Sequence, residues 1–181
     1  MKLNGAMEQF ILHWGEMGSR WGVSRSVAQV HALLYLTSEP MHADEITETL
    51  SIARSNVSMC LKELQGWRLI ELIHVLGDRR DHFIAESDPW EVMFRITEER
   101  KRREIDPTLA MLRGLNADAA ADAATPAESK RRIRELAEFM ETLTTWQEQV
   151  RHLPRGTLIK LLKMGARVAG VVQRRRDRRR T

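Results

Sequence analysis

A polar segment between residues 54 and 62 carries side chains that suit the recognition of DNA. Arginine hydrogen-bonds the major-groove edge of guanine, asparagine that of adenine, and lysine or serine suits a phosphate. A solvated helix face is the alternative for any single residue, but the set as a whole favours base and phosphate contact. The residues of this segment that fall outside its apolar stripe are Arg54, Ser55, Asn56, Ser58, Met59 and Lys62.

A second basic group follows at Arg79 and Arg80, directly after Gly77-Asp78. Glycine and aspartate favour a tight turn, so we expect both arginines to project from the tip of a hairpin. Arginine is favoured where such a hairpin enters the narrow, electronegative minor groove. The alternative is a surface ion pair of an arginine with Asp78 or Asp81, which would contribute little to stability.

Two short helices must position the polar segment. Residues 43–50 form the first, with acids in its first turn, and Ser51-Ile52 make the turn that follows it. In the second helix, Val57, Cys60, Leu61 and Leu64 recur at helical spacing and form a buried stripe. Residues 69–75 and 81–85 then favour two strands. A hairpin directly after a helix-turn-helix is a wing, so the sequence predicts a mainly α fold with a winged helix-turn-helix.

The flanking segments are predicted to be helical. A first helix covers residues 6–17 and stops at Gly18, and a second begins after Ser24 with its core side formed by Val27, Val30, His31, Leu33 and Leu34. Residues 89–105 form another, which kinks or restarts at Asp106-Pro107. Residues 114–129 are read as a linker or a frayed end, 130–150 as a heptad-like helix and 155–173 as a last helix.

These elements predict three regions. Residues 1–90 form the winged helix-turn-helix with its N-terminal helix, residues 91–173 form a helical dimerisation region, and residues 174–181 form a basic disordered tail. Charge is divided unevenly, with a net of −4 for residues 1–90 and +9 for residues 126–181, in a chain of net +4. The basic character of the whole chain therefore says little about the first region, and the case for DNA comes from local pattern.

Several classes of function find no support in the residues. The chain has no phosphate-binding loop, dinucleotide fingerprint, zinc-protease motif or nucleophile elbow, so we expect no enzyme and no cofactor. Cys60 is the single cysteine, which excludes an intrachain disulfide and the usual thiolate zinc sites. His42 and Glu45 are one turn apart, but two candidate ligands do not make a metal site. Without a secretory pattern or an 18-residue apolar run, we expect a cytoplasmic protein that does not enter a membrane.

Five sequence blocks, in this order, resemble the GbsR/MarR group of winged helix-turn-helix regulators. The blocks are FILHWGEMGSRWG, VAQVHALLYL, ARSNVS with LKELQGW, VLGDRRDHF and EERKRREIDPTL. The resemblance covers residues 7–115 closely and implies a homodimer held by N- and C-terminal helices. It places the reading helix at Arg54 to Trp67 and the wing contact at Arg79 and Arg80. The resemblance also implies that tryptophans could hold a choline-like effector. Core packing is the simpler role for the five tryptophans, which are Trp14, Trp21, Trp67, Trp90 and Trp146.

Three positions depart from the pattern of that group. His42 stands where the helix usually begins with serine or threonine, Ser51 where the turn usually has glycine, and Arg68 where glycine often ends the reading helix. A left-handed backbone at the last two positions is costlier without glycine. Met59 and Cys60 replace a more polar pair, which affects base preference and not the fold.

The sequence thus predicts a homodimeric, sequence-specific regulator of transcription, acting as a repressor on double-stranded DNA and answering to a small molecule of unknown identity. The rival interpretation is a winged helix that assembles with proteins and has no affinity for DNA, which the acidic balance of residues 1–90 favours. The terminal RRRDRRR suits nonspecific phosphate contact. For the basic helix before it, packing in the dimer is favoured over lying on a membrane surface.

Overall fold

The first two helices pack so closely that glycine is required between them. In a computed structural model, which describes residues 2–164, α1 covers Gly5–Arg20 and α2 covers Arg25–Leu36. A Cβ atom added to Gly18 would lie 2.5 Å from the Cβ of Ala28 on α2. The expectation that Gly18 ends α1 is therefore wrong, because its missing side chain serves helix packing.

Helix α1 ends instead at Arg20, and Gly22 makes the turn that follows it. Gly22 has a φ of +77°, which glycine adopts without strain. Its amide donates to the carbonyl of Ser19, and the amide of Val23 donates to that of Gly18. These two bonds form a Schellman motif, the usual end of a helix at a left-handed residue.

The helix-turn-helix follows the predicted bounds. Helix α3 covers Ala43–Leu50 and α4 covers Arg54–Gly66, with the predicted stripe of Val57, Cys60, Leu61 and Leu64 fully buried. The core-facing residues expected on α2 are also buried. Ser51 has a φ of +53° in the turn between α3 and α4.

The wing has one strand more than the sequence predicts. Strands β2, Ile70–His74, and β3, Asp81–Ala85, form the expected hairpin, and β1, Met41–His42, pairs with the other edge of β3. The register places Met41 opposite Phe83 and His42 opposite His82. A strand of two residues is too short to show an alternating pattern, so the sequence gives no signal for β1.

The remaining described residues are helical apart from short connections. Helix α5 covers Pro89–Arg100, a π-helical turn covers Lys101–Ile105, α6 covers Asp106–Ala121 and α7 covers Ala127–Arg151. Residues 155–164 are helical as well. Asp106-Pro107 starts a new helix, as expected, and α6 extends into the predicted linker, which shrinks to residues 122–126. The predicted basic tail and the end of the last predicted helix lie outside the described residues.

The chain packs as two compact units, one ending at Arg100 and one beginning at Lys101. The first, the winged-helix unit, contains α1 to α5 and the sheet around one apolar core. The second, the helical unit, contains the π-helical turn, α6 and α7. On α7, Ala137 and Thr144 are buried while Leu136, Phe139, Leu143 and Trp146 are exposed. The heptad-like stripe that the sequence predicts on this helix is therefore half-buried or exposed in the structure; its residues are Ile133, Leu136, Met140, Leu143 and Val150.

Candidate nucleic-acid interface

Helix α4 separates a buried side from an exposed polar side. Arg54, Ser55, Ser58, Met59 and Lys62 are all exposed, with Met59 66% accessible. Arg54 is the first residue of α4, and its guanidinium donates to Asp44 on α3 and to the hydroxyl of Ser58 one turn further along α4. Five of the six predicted residues of this segment therefore share one accessible surface.

Asn56 is placed differently from the other five. It is half-buried, and its amide nitrogen donates to the hydroxyl of Ser26 on α2 over 3.1 Å. Its side-chain oxygen lies 3.6 Å from the sulfur of Cys60. In this state Asn56 links α4 to α2, and a contact with a base requires its amide to leave Ser26.

The start of α3 is held by a histidine. The imidazole Nδ1 of His42 accepts from the Glu45 amide at 3.4 Å, while the Glu45 carboxylate accepts from the His42 amide at 2.9 Å. Together they form a capping box, the reciprocal pairing usually made by serine or threonine with glutamate. The unusual residue at this position therefore keeps the usual helix start.

The tip of the wing is Leu76-Gly77, one residue earlier than the predicted Gly77-Asp78. The Asp78 amide donates to the Val75 carbonyl at 3.0 Å, and Gly77 has a φ of +84°. Leu76 is therefore the most projecting residue of the turn and is fully exposed. Arg79 follows on the exposed side, as expected.

Arg80 turns back toward the protein. Its Nε atom lies 2.9 Å from both carboxylate oxygens of Asp78, and its Nη1 atom lies 2.7 Å from Nε2 of His42. The hydrogen bonds from Arg80 lower the pKa of the Asp78 carboxyl well below its usual range, and the same pair raises the pKa of Arg80. The wing arginine predicted to project is thus an ion-pair partner, which was the alternative weighed for this turn.

A cleft of about 270 Å³ lies between α3, α4 and the wing. Its basic lining consists of Arg54, Lys62 and Arg80, and its acidic lining of Asp44 and Asp81. Helix α4 and the wing therefore present their cations around one opening in the winged-helix unit.

Comparison with known proteins finds a family match for part of the winged-helix unit. Residues 21–81 match the MarR family model. This segment of the chain is similar to the MarR family. The resemblance to the GbsR/MarR group is confirmed, and the matched segment contains α2 to α4 and most of the wing.

Two proteins of Bacillus subtilis strain 168 are related to this chain. The HTH-type transcriptional repressor GbsR is 26% identical over 98 residues, which is 54% of this chain and 54% of GbsR. The match thus spans about half the length of that relative. YvaV, named as an HTH-type transcriptional regulator, is 20% identical over 152 residues, which is 83% of this chain and 84% of YvaV.

A solved structure described as that of a transcriptional regulator shares the fold. It superimposes with a TM-score of 0.61 at 20% identity, covering 80% of this chain and 94% of the other. The mainly α, winged-helix fold predicted from the sequence is confirmed, and the MarR family points to regulators of transcription and not to enzymes.

The structure adds no residues to the metal, membrane and tryptophan sites considered from the sequence. Within residues 2–164, no group of three potential ligands stands close enough to hold a metal ion. No helix in that part of the chain is long and apolar enough to cross a membrane. Of the tryptophans, Trp14 stacks on Phe10 with ring centroids 5.4 Å apart, Trp67 is buried at the end of α4, and Trp21 and Trp146 are about half exposed or more.

Proposed function

We propose that this protein binds double-stranded DNA in a sequence-specific manner and represses transcription. The observation that carries the proposal is the exposed polar side of α4, a helix whose opposite side is completely buried. In a helix-turn-helix the second helix lies in the major groove and reads bases near its N-terminus. Arg54, Ser55, Ser58 and Met59 occupy those positions here.

The residues divide by the contact each can make. Arg54 reads a base from the start of α4, and Asn56 does so after its amide leaves Ser26, whereas Lys62 contacts a phosphate. Arg79 enters the minor groove from the wing, and Arg80 joins it by exchanging Asp78 for an acceptor on DNA.

The test is fluorescence anisotropy on a duplex selected from a random pool and on random duplex, at several salt concentrations. Arg54→Ala should weaken binding to the selected duplex by about 1–3 kcal/mol and relax preference at one or two positions. Lys62→Ala should weaken both duplexes equally and lower the salt slope by about one. Arg113→Ala, which removes an exposed, ion-paired arginine of α6, is the matched control and should change neither. Equal binding by all three variants and the parent would remove the groove assignment.

Arg79→Ala should lower the salt slope by about one and reduce the preference for A·T-rich flanks. The same duplexes with exchanged flanks measure both quantities. An unchanged slope with unchanged flank preference would place Arg79 in solvent.

The assembly module without DNA affinity remains the rival, favoured by the net charge of −4 of residues 1–90. The salt titration separates the two, since a module without DNA affinity binds neither duplex even at low salt.

We propose further that the protein acts as a homodimer, with residues 6–17 and 130–172 supplying most of the interface. On α7, Leu136, Phe139, Leu143 and Trp146 are 44–62% exposed at positions three or four residues apart, and such a stripe is unfavourable in water. A second copy of the chain would bury it. Phe139→Glu should give a monomer in sedimentation at micromolar concentration, whereas Thr142→Glu, on a neighbouring exposed position, should leave the dimer. A monomeric parent would exclude the dimer.

A further inference from the structure

Arg54, the first residue of the proposed reading helix, already makes two side-chain hydrogen bonds in the free protein. Its Nε donates to Oδ1 of Asp44 on α3 at 2.6 Å, and its Nη1 donates to the hydroxyl of Ser58 at 2.5 Å. Both partners of the ion pair are accessible, with Arg54 52% and Asp44 57% exposed in their side chains. The guanidinium is therefore held at the mouth of the cleft by an acid that solvent, or a ligand, can reach.

The two acids that hold arginines at this surface differ in what else they do. The Asp78 carboxylate, 22% exposed, also accepts the backbone amide of Arg80 and so shapes the wing turn. Asp44 acts on α3 only through its charge in the first turn, because Glu45 and His42 make the hydrogen bonds of the capping box. Besides Arg54, its neighbours are His42, whose Nδ1 lies 3.9 Å from Oδ2, and Arg80, on which the Asp44 charge also acts. Asp78 thus holds the backbone of the wing turn through a hydrogen bond, whereas none of the hydrogen bonds described joins the Asp44 carboxylate to the backbone.

We propose that Asp44 competes with DNA for Arg54 and so lowers the affinity of the protein for DNA. The inference rests on the proposed function, in which α4 faces the duplex. Carboxylate and phosphate oxygens, like the base acceptors of guanine, take up the same donors of a guanidinium. Arg54 must therefore give up Asp44 when it turns to DNA, and the freed carboxylate then faces the phosphates.

The competition predicts a gain of affinity when an acid is neutralised without a change of shape. Asp44→Asn should tighten binding to the selected duplex about two- to fivefold at about 50 mM salt, the range expected for an exposed ion pair. Asp81→Asn is the matched control, because Asp81 lines the same cleft and has no arginine partner among the described residues. It removes the same charge and should give a smaller gain.

A double-mutant cycle with Arg54→Gln separates release of Arg54 from general electrostatics. The excess gain of Asp44→Asn over Asp81→Asn should vanish when Arg54 is glutamine, while the gain of Asp81→Asn persists. The comparison includes only variants whose melting temperature, measured by circular dichroism, equals that of the parent protein.

Two results would overturn the competition while leaving the proposed function intact. One is an equal gain for the two asparagine variants, and the other is an excess gain that survives in the Arg54→Gln background. A parent protein that binds no duplex at any salt concentration would instead remove the proposed function, and the competition with it.

Discussion

The winged-helix unit and the helical unit differ in how far they bury their large apolar side chains. In the first, Leu33, Leu34, Ile46, Val57 and Leu64 are at most 2% exposed, and helices and sheet close around them. In the second, α6 buries Leu109 and Leu112, but α7 leaves a stripe of large apolar side chains in the open. The contrast teaches that the first unit has a core of its own, whereas the second has an apolar surface that needs a covering layer.

The largest effect should come from a matched pair of leucine truncations. Leu33→Ala removes a fully buried side chain of α2 and should lower the free energy of unfolding by about 2–5 kcal/mol. Leu143→Ala removes a side chain of α7 that is 44% exposed and should lower it far less at low protein concentration. Urea unfolding at two protein concentrations measures both. Equal losses would abolish the distinction between the units.

The pH dependence of unfolding should be the next largest effect and should belong to the winged-helix unit. Burial lowers the pKa of His31 to about 4, from an ordinary value of 6.5. The folded state therefore resists protonation that the unfolded chain accepts, so stability is complete above about pH 6.5 and falls as the pH drops toward 4. The full difference is on the order of 3 kcal/mol.

The variant His31→Leu isolates this contribution. His31 is 4% exposed, and its Nε2 has no hydrogen-bond partner among the described residues, so an apolar side chain suits the site. Between pH 7 and pH 4.5 the variant should lose less stability than the parent in urea unfolding. Parallel pH profiles would show that another group carries the dependence.

The smallest effect concerns the end of the reading helix. Arg68 has a φ of +58°, and its amide and that of Leu69 donate to Gln65 and Leu64 in the same motif that Gly22 makes after α1. Because a left-handed conformation costs a residue with a side chain about 1 kcal/mol, Arg68→Gly should be more stable than Arg68→Ala by about that amount.

The alanine variant is the necessary reference, since both changes remove the exposed ion pair of Arg68 with Glu98. The mirror substitution, Gly22→Ala, should lose a similar amount. If glycine and alanine at position 68 gave equal stability, the backbone there would carry no strain.

The local parts of the fold could be predicted because each leaves a periodic signal. The stripe from Val57 to Leu64 located the buried side of α4, and the strands on either side of Gly77 were located within a residue or so. Ser51 and Arg68 stand where the family pattern has glycine, and both have a left-handed backbone in the structure. The family pattern therefore located these two backbone positions although the glycines are absent.

The pairings between distant residues could not be predicted in the same way. Asn56 meets Ser26 across 30 positions, and Arg54 meets Asp44 across ten, so neither contact leaves a trace in helical or strand spacing. The exposed face of α4 was therefore recognised, whereas the present partners of its side chains were not. Arg80 shows the same limit, because only the fold brings it to His42.

The close approach of α1 and α2 has a consequence for how this sequence can change over generations. A methyl group at position 18 collides with the methyl group of Ala28, and the nearest atoms are Cβ atoms that no rotamer can move. Alanine at position 18 therefore becomes acceptable only after position 28 has become glycine. Substitution must follow one order along this crossing, and descendants of this chain are expected to keep at least one glycine in the pair.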